Sequence, residues 1–299
     1  MSDYPHISVI IPVHNAKDTL TLCLTSLAEL DYPSDQLEIL VVDNNSRDDS
    51  RAIIGQFPVT CLEESIQTSY AARNKGVRAA RGEILAFTDA DCIVEKGWLK
   101  TLVKGFEDST VGCCAGEILP YEPSSLVEVY QARQGRLSQK VTLNKDFLPF
   151  PQTANAAYRR EVFDQIGMFN FKLISGGDTD FAWRMQLQTD FKIRYYPEAV
   201  VYHKHRTSVK GLFKQCARYS IGKEDLHRLY PEYEVRPLWR EIQIDINATI
   251  KHAVRLPFHL CLHLLRRIDR VDLLRPWLDL VGMWGRCYGM AKCRTGIIP

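Results

Sequence analysis

Two aspartates one residue apart, Asp89 and Asp91, flank Ala90 just beyond the apolar run Ile84-Leu85-Ala86-Phe87. In an extended segment, residues i and i+2 project to the same side, so both carboxylates can face one point. Such hard oxygen ligands suit Mg2+ or Mn2+ carried with a diphosphate. These ions take one or two carboxylates and complete their shell with phosphate and water. A solvated turn is the competing reading, because aspartate is common in turns; the place directly after a buried strand favours the metal. A second acidic pair, Asp178 and Asp180, opens an apparent helix behind Gly176 and Gly177. The glycines permit a close approach to a substrate, and acids at a helix N-terminus also cap it and complement its dipole.

The elements that must position these residues alternate. Ile7–Val13 and Leu37–Val42 read as buried strands, Val59–Leu62 as a short third, and Glu83–Thr88 and Val111–Leu119 as further strands. Asp18–Leu30 has leucines at helical spacing, and Tyr70–Ala80 reads as a helix with a basic side. Continuous apolar strands separated by helices imply an α/β fold with a mostly parallel sheet covered on both faces. Ligands of such sheets sit at the carboxyl ends of the strands. The polar clusters fall there: His14-Asn15, then Asp43-Asn44-Asn45, then Asp89-Ala90-Asp91. No G-x-G-x-x-G follows the first strand and no Walker Gly-Lys-Ser/Thr exists, which argues against a dinucleotide oxidoreductase and a P-loop NTPase. Farther on, Thr153–Tyr158, Lys192–Tyr196 and Val200–His203 read as short strands, and Glu161–Ile166 and Asp178–Gln188 as helices. From about Val235 the chain reads as helical, with breaks expected at Pro237, Pro257 and Pro276. This divides it into a catalytic domain, 1–234, and a helical tail, 235–299.

Charge separates the same two regions. The 299 residues carry a net charge of +2, which implies no global attraction to nucleic acid. Residues 236–299 hold 11 Lys/Arg and 5 Asp/Glu, a net of +6, which leaves −4 on the remainder. In the tail, Leu260, Leu264, Ile268, Val271, Leu274, Leu278 and Val281 recur at three- and four-residue spacing. Arg266, Arg267 and Arg270 lie off that stripe, and Trp277, Trp284 and Tyr288 add interfacial aromatics. A basic amphipathic helix with tryptophan suits an anionic membrane surface; packing on the catalytic domain or in a homo-oligomer is the alternative. The nine cysteines include no C-x-x-C pair and read as reduced core residues rather than zinc ligands or disulfides. The start lacks a basic segment followed by a long apolar one, and no stretch of about 18 apolar residues occurs. A cytoplasmic protein, peripheral on the inner face of the plasma membrane, is the expectation.

Five segments in order carry a family resemblance. They are Ser8-Val9-Ile10-Ile11-Pro12-Val13-His14-Asn15; Val41-Val42-Asp43-Asn44-Asn45-Ser46; Ala72-Arg73-Asn74-Lys75-Gly76; Ala80-Arg81-Gly82-Glu83 leading to Thr88-Asp89-Ala90-Asp91; and Gly176-Gly177-Asp178-Thr179-Asp180-Phe181. Together they resemble glycosyltransferase family 2, across roughly residues 7–205. The resemblance implies a GT-A fold, a nucleotide-diphospho-sugar donor, a glycan or lipid-linked acceptor, and inversion at the transferred sugar. It implies that Pro12, His14, Asn15, Asp43, Asn45, Arg73, Lys75, Asp89 and Ala90 line the donor, with Asp43 on the nucleobase and Arg73 near the base or phosphates. Asp180 and Asn155 would complete the donor side, Asn155 as a sugar contact. Asp89 and Asp91 would hold Mn2+ or Mg2+, with His203 as a further ligand or a structural histidine. Asp178 would be the catalytic base. Gly177 stands where the family often has glutamate, which keeps Asp180 as the alternative base. The Gln-x-x-Arg-Trp of processive synthases is absent, so one sugar per encounter is implied. A nucleotidylyltransferase would need a Gly-rich N-terminal loop with Arg and Lys. A non-catalytic nucleotide-sugar sensor or scaffold would be expected to lack metal or base residues. Neither fits the residues present.

Overall fold

The apolar runs become strands because their β-branched side chains are buried on both sheet faces. In β1 (Ile7–Val13), Ile7, Val9, Ile10, Ile11 and Val13 have no exposed surface. The computed structural model describes residues 4–135, 137–145, 147–232 and 238–295. After β1 the order is α1 (Leu20–Ala28), β2 (Leu37–Asp43), α2 (Ser50–Ile54), β3 (Thr60–Glu63), α3 (Ser69–Ala79), β4 (Ile84–Phe87), β5 (Cys92–Val94), α4 (Trp98–Val103), β6 (Val111–Pro120), α5 (Leu126–Gln134), α6 (Gln139–Leu143), β7 (Ala156–Arg159), α7 (Arg160–Ile166), α8 (Gly177–Gln188), β8 (Lys192–His203), α9 (Val209–Leu229), α10 (Leu238–Leu264) and α11 (Arg270–Thr295). The described residues form two compact units. One comprises 1–121, 137–173 and 177–204, the other 122–136, 174–176 and 205–299.

The first unit is built on one eight-stranded sheet ordered β3-β2-β1-β4-β7-β6-β8-β5. Four pairings are parallel, but β7 runs antiparallel to both β4 and β6, and β5 antiparallel to β8. The sheet is therefore mixed, and β5, three residues long, has too little pattern to be read from sequence. Pro12 is accommodated near the end of β1 for a specific reason. The Ile10 carbonyl accepts from Thr88 on the β4 side, so the Pro12 nitrogen faces that side too, where β4 has already ended. A missing N–H costs no ladder bond there.

The two short strands read at 192–196 and 200–203 are one strand, β8, interrupted by a register shift against β6 between Gly116 and Glu117. Gly116 lies at that irregularity. A β-carbon on it would overlap the Ala199 carbonyl oxygen and crowd the Asn155 side chain.

In the second unit α9 and α11 pack closely at two glycines. A β-carbon on Gly285 would lie 2.5 Å from the Phe213 carbonyl, and one on Gly289 would overlap that of Ala217. Val127 and Tyr130 of α5, Leu212 and Cys216 of α9, and Val271, Leu278 and Val281 of α11 form the core. The Tyr130 hydroxyl donates to Asp279 (2.5 Å), and Arg133 bridges Asp269 and Asp272. The C-terminal apolar stripe expected from sequence is therefore divided: Val271, Leu278 and Val281 on α11 are core, whereas Leu274 on α11 and Leu260 and Leu264 on α10 are exposed. Pro257 and Pro276 do not break the helices. Each lies inside one, which runs on through it with one backbone bond fewer; Pro237 lies outside the described residues. All nine cysteines are free thiols, and Cys61 and Cys261 are exposed rather than core.

Gly116→Ala should destabilise the protein by about 3 kcal/mol through overpacking against backbone. A fall in the urea unfolding midpoint measures it; an unchanged midpoint would mean β8 can shift to make room.

Candidate active site

The carboxyl ends of β1 and β2 are tied together by their own polar side chains. Asn15 and Asn45 both adopt left-handed backbone, φ 49° and 60°, a conformation asparagine tolerates. The Asn15 carboxamide oxygen accepts from Arg47 N (2.8 Å), and Asn45 donates to the Ser65 carbonyl (2.8 Å). Asn44 is buried and donates to the carbonyls of Glu64 and Ile66 (2.8 and 2.7 Å), which binds the segment after β3 to the same rim. His14 lies within 2.8 Å of the Asn44 carbonyl through Nδ1. Its Nε2 is 3.0 Å from the Asn15 amide nitrogen and 3.1 Å from that of Gln67. Amides beside Nε2 and a carbonyl beside Nδ1 fit a hydrogen on Nδ1. Asp43 is buried beneath this rim. One of its oxygens accepts from Ser46 N (3.2 Å), and the other lies 3.9 Å from Arg51. It thus closes the turn after β2 and keeps lone pairs for another donor.

A second cluster forms around Arg73, on α3. Arg73 is buried, its Nη2 pairs with Asp89, and its guanidinium lies over the Tyr70 ring. Its Nε is buried and has no hydrogen-bond acceptor among the described residues. The Tyr70 ring also fills the space beside Gly177: a β-carbon there would meet the ring at 2.8 Å. This gives a steric reason for glycine at 177, since any larger residue must displace Tyr70. Asn74 fixes the same region by donating to the Phe169 carbonyl (2.8 Å) and accepting from its N–H (3.0 Å). Lys75 is half-buried on the same helix.

The two acids that begin α8 have different surroundings. Asp180 is buried and paired with Arg184 (3.0 Å), which also donates to the carbonyls of Ile166 and Met168. It anchors the end of α7. Asp178 accepts from Thr179 N (3.0 Å). Burial pushes its carboxyl above the usual aspartate range, opposed by Arg73 and the backbone N–H groups.

Asp91 and His203 meet across the β5–β8 pairing, where Cys92 lies opposite His203. The imidazole Nε2 is 3.4 Å from the Asp91 carboxylate. Ala90 is buried between the two aspartates. Among the described residues no three His, Cys, Asp or Glu side chains already converge as a ligand cage. The donor chemistry nevertheless suits a hard divalent ion that brings phosphate and water as its other ligands. Asn155 requires a correction. It is fully buried: it donates to the Glu117 and Ala199 carbonyls (2.8 Å each) and accepts from the Trp98 indole (2.7 Å). Its amide is saturated by the protein, so it is a cross-link and not a sugar contact.

The match to known proteins decides the family. The profile of "Glycosyl transferase family 2" matches residues 8–167, more than half of the chain. The glycosyltransferase AglE of Haloferax volcanii is 31% identical over 230 residues, 74% of this chain and 73% of that protein. The chain belongs to glycosyl transferase family 2. The pre-mycofactocin glycosyltransferase of Mycobacterium tuberculosis is 28% identical over 76% of this chain, which spans only 48% of that protein. A solved mannosyltransferase, PcManGT from Pyrobaculum calidifontis in complex with GDP-Man and Mn2+, superposes with a TM-score of 0.60. It does so at 20% identity over 98% of this chain and 76% of its own. The chain is thus a glycosyltransferase with the GT-A fold; the clusters after β1, β2 and β4 fall within residues 8–167, whereas Asp178, Asp180 and His203 lie beyond them.

Family spacing did not reveal Tyr70 or Gln67, and it gave Asn44 no role. The signal for Tyr70 was present in Gly177 itself, a departure that leaves space for another side chain. Gly177→Ala should cost about 2 kcal/mol. On a Tyr70→Ala background the same change should cost nothing further, as a double-mutant cycle of unfolding midpoints would read. Asn155→Ala should cost about 3 kcal/mol, because the indole N–H and two carbonyls lose their partner. A higher donor KM at unchanged stability would instead restore Asn155 as a ligand.

Proposed function

We propose that this glycosyltransferase moves one sugar from a nucleotide-diphosphate donor to a hydroxyl of a glycan or lipid-linked acceptor, with inversion, in the assembly of envelope or exopolysaccharide glycans. The observation that carries this reading is the contrast within the acidic pair. Asp180 is held by Arg184, whereas Asp178 has a raised pKa and, among the described residues, no ion-pair partner, as suits a proton acceptor. Asp178 would take the acceptor hydroxyl's proton while that oxygen forms its bond to the anomeric carbon. The bond to the diphosphate oxygen breaks on the opposite face, and its electron pair leaves with the nucleoside diphosphate.

The remaining residues bind and orient. Asp43 has lone pairs for a nucleobase donor, with the His14–Asn15 and Asn45 rim around it. Arg73 has a buried Nε–H to offer a phosphate oxygen. Pro12, Lys75 and Ala90 line this donor side in the family-based reading. Asp91 and His203, with Asp89 once a phosphate competes for Arg73, would hold Mn2+ or Mg2+. Such an ion supplies positive charge opposite the leaving diphosphate. AglE and PcManGT support this class of chemistry through their names and, for PcManGT, its GDP-Man and Mn2+. The catalytic part would be residues 1–234, with the basic tail 235–299 on a membrane that presents the acceptor.

A panel of nucleotide sugars with a soluble acceptor tests the reading. One donor should support transfer, and EDTA should abolish it. Full activity in EDTA would remove the metal. Asp178→Asn should lower kcat by about 10^2- to 10^4-fold with donor binding nearly intact; wild-type turnover would exclude Asp178 as base. The raised pKa also gives a stability sign. Above the folded pKa the buried charge weakens the fold, and protonation relieves this as pH falls. Asp178→Asn should therefore raise the urea midpoint at neutral pH, with a gain that shrinks toward acid.

A further inference from the structure

α10 leaves a continuous row of apolar side chains in solvent. Ile246, Ile250, Val254 and Phe258 follow at four-residue intervals, and Leu265 continues them just past the helix. They are heavily exposed: Val254 at 74%, Phe258 at 62% and Leu265 at 64%. This is not the sequence's α11 stripe, whose Val271, Leu278 and Val281 are buried in the helical unit's own core. From Ile246 to Leu265 the row extends about 28 Å at 1.5 Å per residue. A contiguous apolar surface of that length marks a contact with another phase or molecule.

The charges beside the row indicate which. Arg240 and Lys251 are exposed on α10, and Arg266, Arg267 and Arg270 are exposed in and just after the turn that ends it. The turn itself is sharp, with Arg266 in left-handed backbone at φ 55°. Among the described residues no helix is long and apolar enough to cross a membrane. An apolar row flanked by cations and unable to span is the pattern of a helix lying in the bilayer interface. There acyl chains meet the row and anionic phosphates meet the arginines and lysine. A second copy of the chain would bring the same cations to the contact.

We propose that the exposed face of α10, from Ile246 to Leu265, lies flat in the headgroup region of an anionic membrane. The 266–270 arginine turn then holds it to phosphate. This rests on the reading that a membrane presents the acceptor, and it names the surface that would do so. α11 also exposes Trp277, Trp284 and Tyr288, which are not part of the proposed docking face.

The test uses the full chain and vesicles that contain no acceptor, so binding is scored apart from transfer. Vesicles of phosphatidylcholine with about 30 mol% phosphatidylglycerol should carry the protein to the top of a flotation gradient. Pure phosphatidylcholine should carry at least about tenfold less. The variant Ile250→Glu/Val254→Glu changes only exposed side chains. It should keep the wild-type unfolding midpoint and transfer to a soluble acceptor, and lose flotation by about tenfold or more. Arg266→Ser/Arg267→Ser/Arg270→Ser should lose the preference for the anionic lipid. The proposal is overturned if wild-type protein does not float, if the glutamate variant floats equally well, or if that variant turns a dimer into a monomer while neither binds vesicles. Loss of transfer with flotation intact would instead overturn the catalytic reading and leave the membrane face standing.

Discussion

The catalytic unit depends on how β8 is held at its irregularity. If β8 stayed in uninterrupted register with β6, its last residues would pair with different neighbours, and His203 would not lie opposite Cys92. Asn155 fixes the detour. Its amide donates to Glu117 on β6 and to Ala199 within the irregular part of β8, and its oxygen takes the Trp98 indole proton from α4. Gly116 permits the approach by having no side chain. Trp98 and Ala199 are fully buried and Glu117 partly so, so the partners left by a lost bond have little access to water. The Asp91–His203 proximity of 3.4 Å therefore follows from a cross-link that touches neither residue.

The same logic distinguishes what the sequence reveals from what it conceals. Strands β1, β2, β4 and β6 are legible because burial on both faces writes a local apolar run. Asp89 and Asp91 are legible because they follow such a run at two-residue spacing. Local spacing contains nothing about Asn155, whose partners are 38, 44 and 57 residues away. Nor does it give the direction of β7, a four-residue strand that runs antiparallel to β6 although α5 and α6 lie between them. The family resemblance implied roles, Asp178 as the base with Asp180 as the alternative, but not the surroundings that separate them. Asp178 and Asp180 look alike in the sequence and separate only when Arg184, four residues on, is seen to take one of them.

The helical tail shows a different limit. Periodicity detects that one side of a helix is apolar but cannot say what that side faces. α10 and α11 both have apolar sides. One is directed into the core formed with α5 and α9 because Gly285 and Gly289 let the backbones come close, and that small-residue spacing was present in the sequence. The other remains in solvent. Proline misled for a related reason: Pro257 and Pro276 each remove one bond from helices of 27 and 26 residues, a cost that long packed helices can absorb.

In the proposed reaction, catalytic competence would rest on keeping two opposite charges from satisfying each other too well. Arg73 is buried with Asp89 as its ion-pair partner, and the Tyr70 ring beneath it occupies the space where a residue larger than Gly177 would stand. A glutamate at 177 would have to displace that ring, on which the Arg73 guanidinium lies. Glycine leaves Arg73 with one carboxylate partner and a buried Nε–H still to be satisfied. It also leaves Asp178 dependent on burial rather than on a salt bridge for its proton affinity. The departure from the family pattern at Gly177 thus preserves the imbalance that a phosphate-bearing donor and an acceptor hydroxyl would relieve. An ion-pair network complete in the empty protein would have no such unmet demand to offer either substrate.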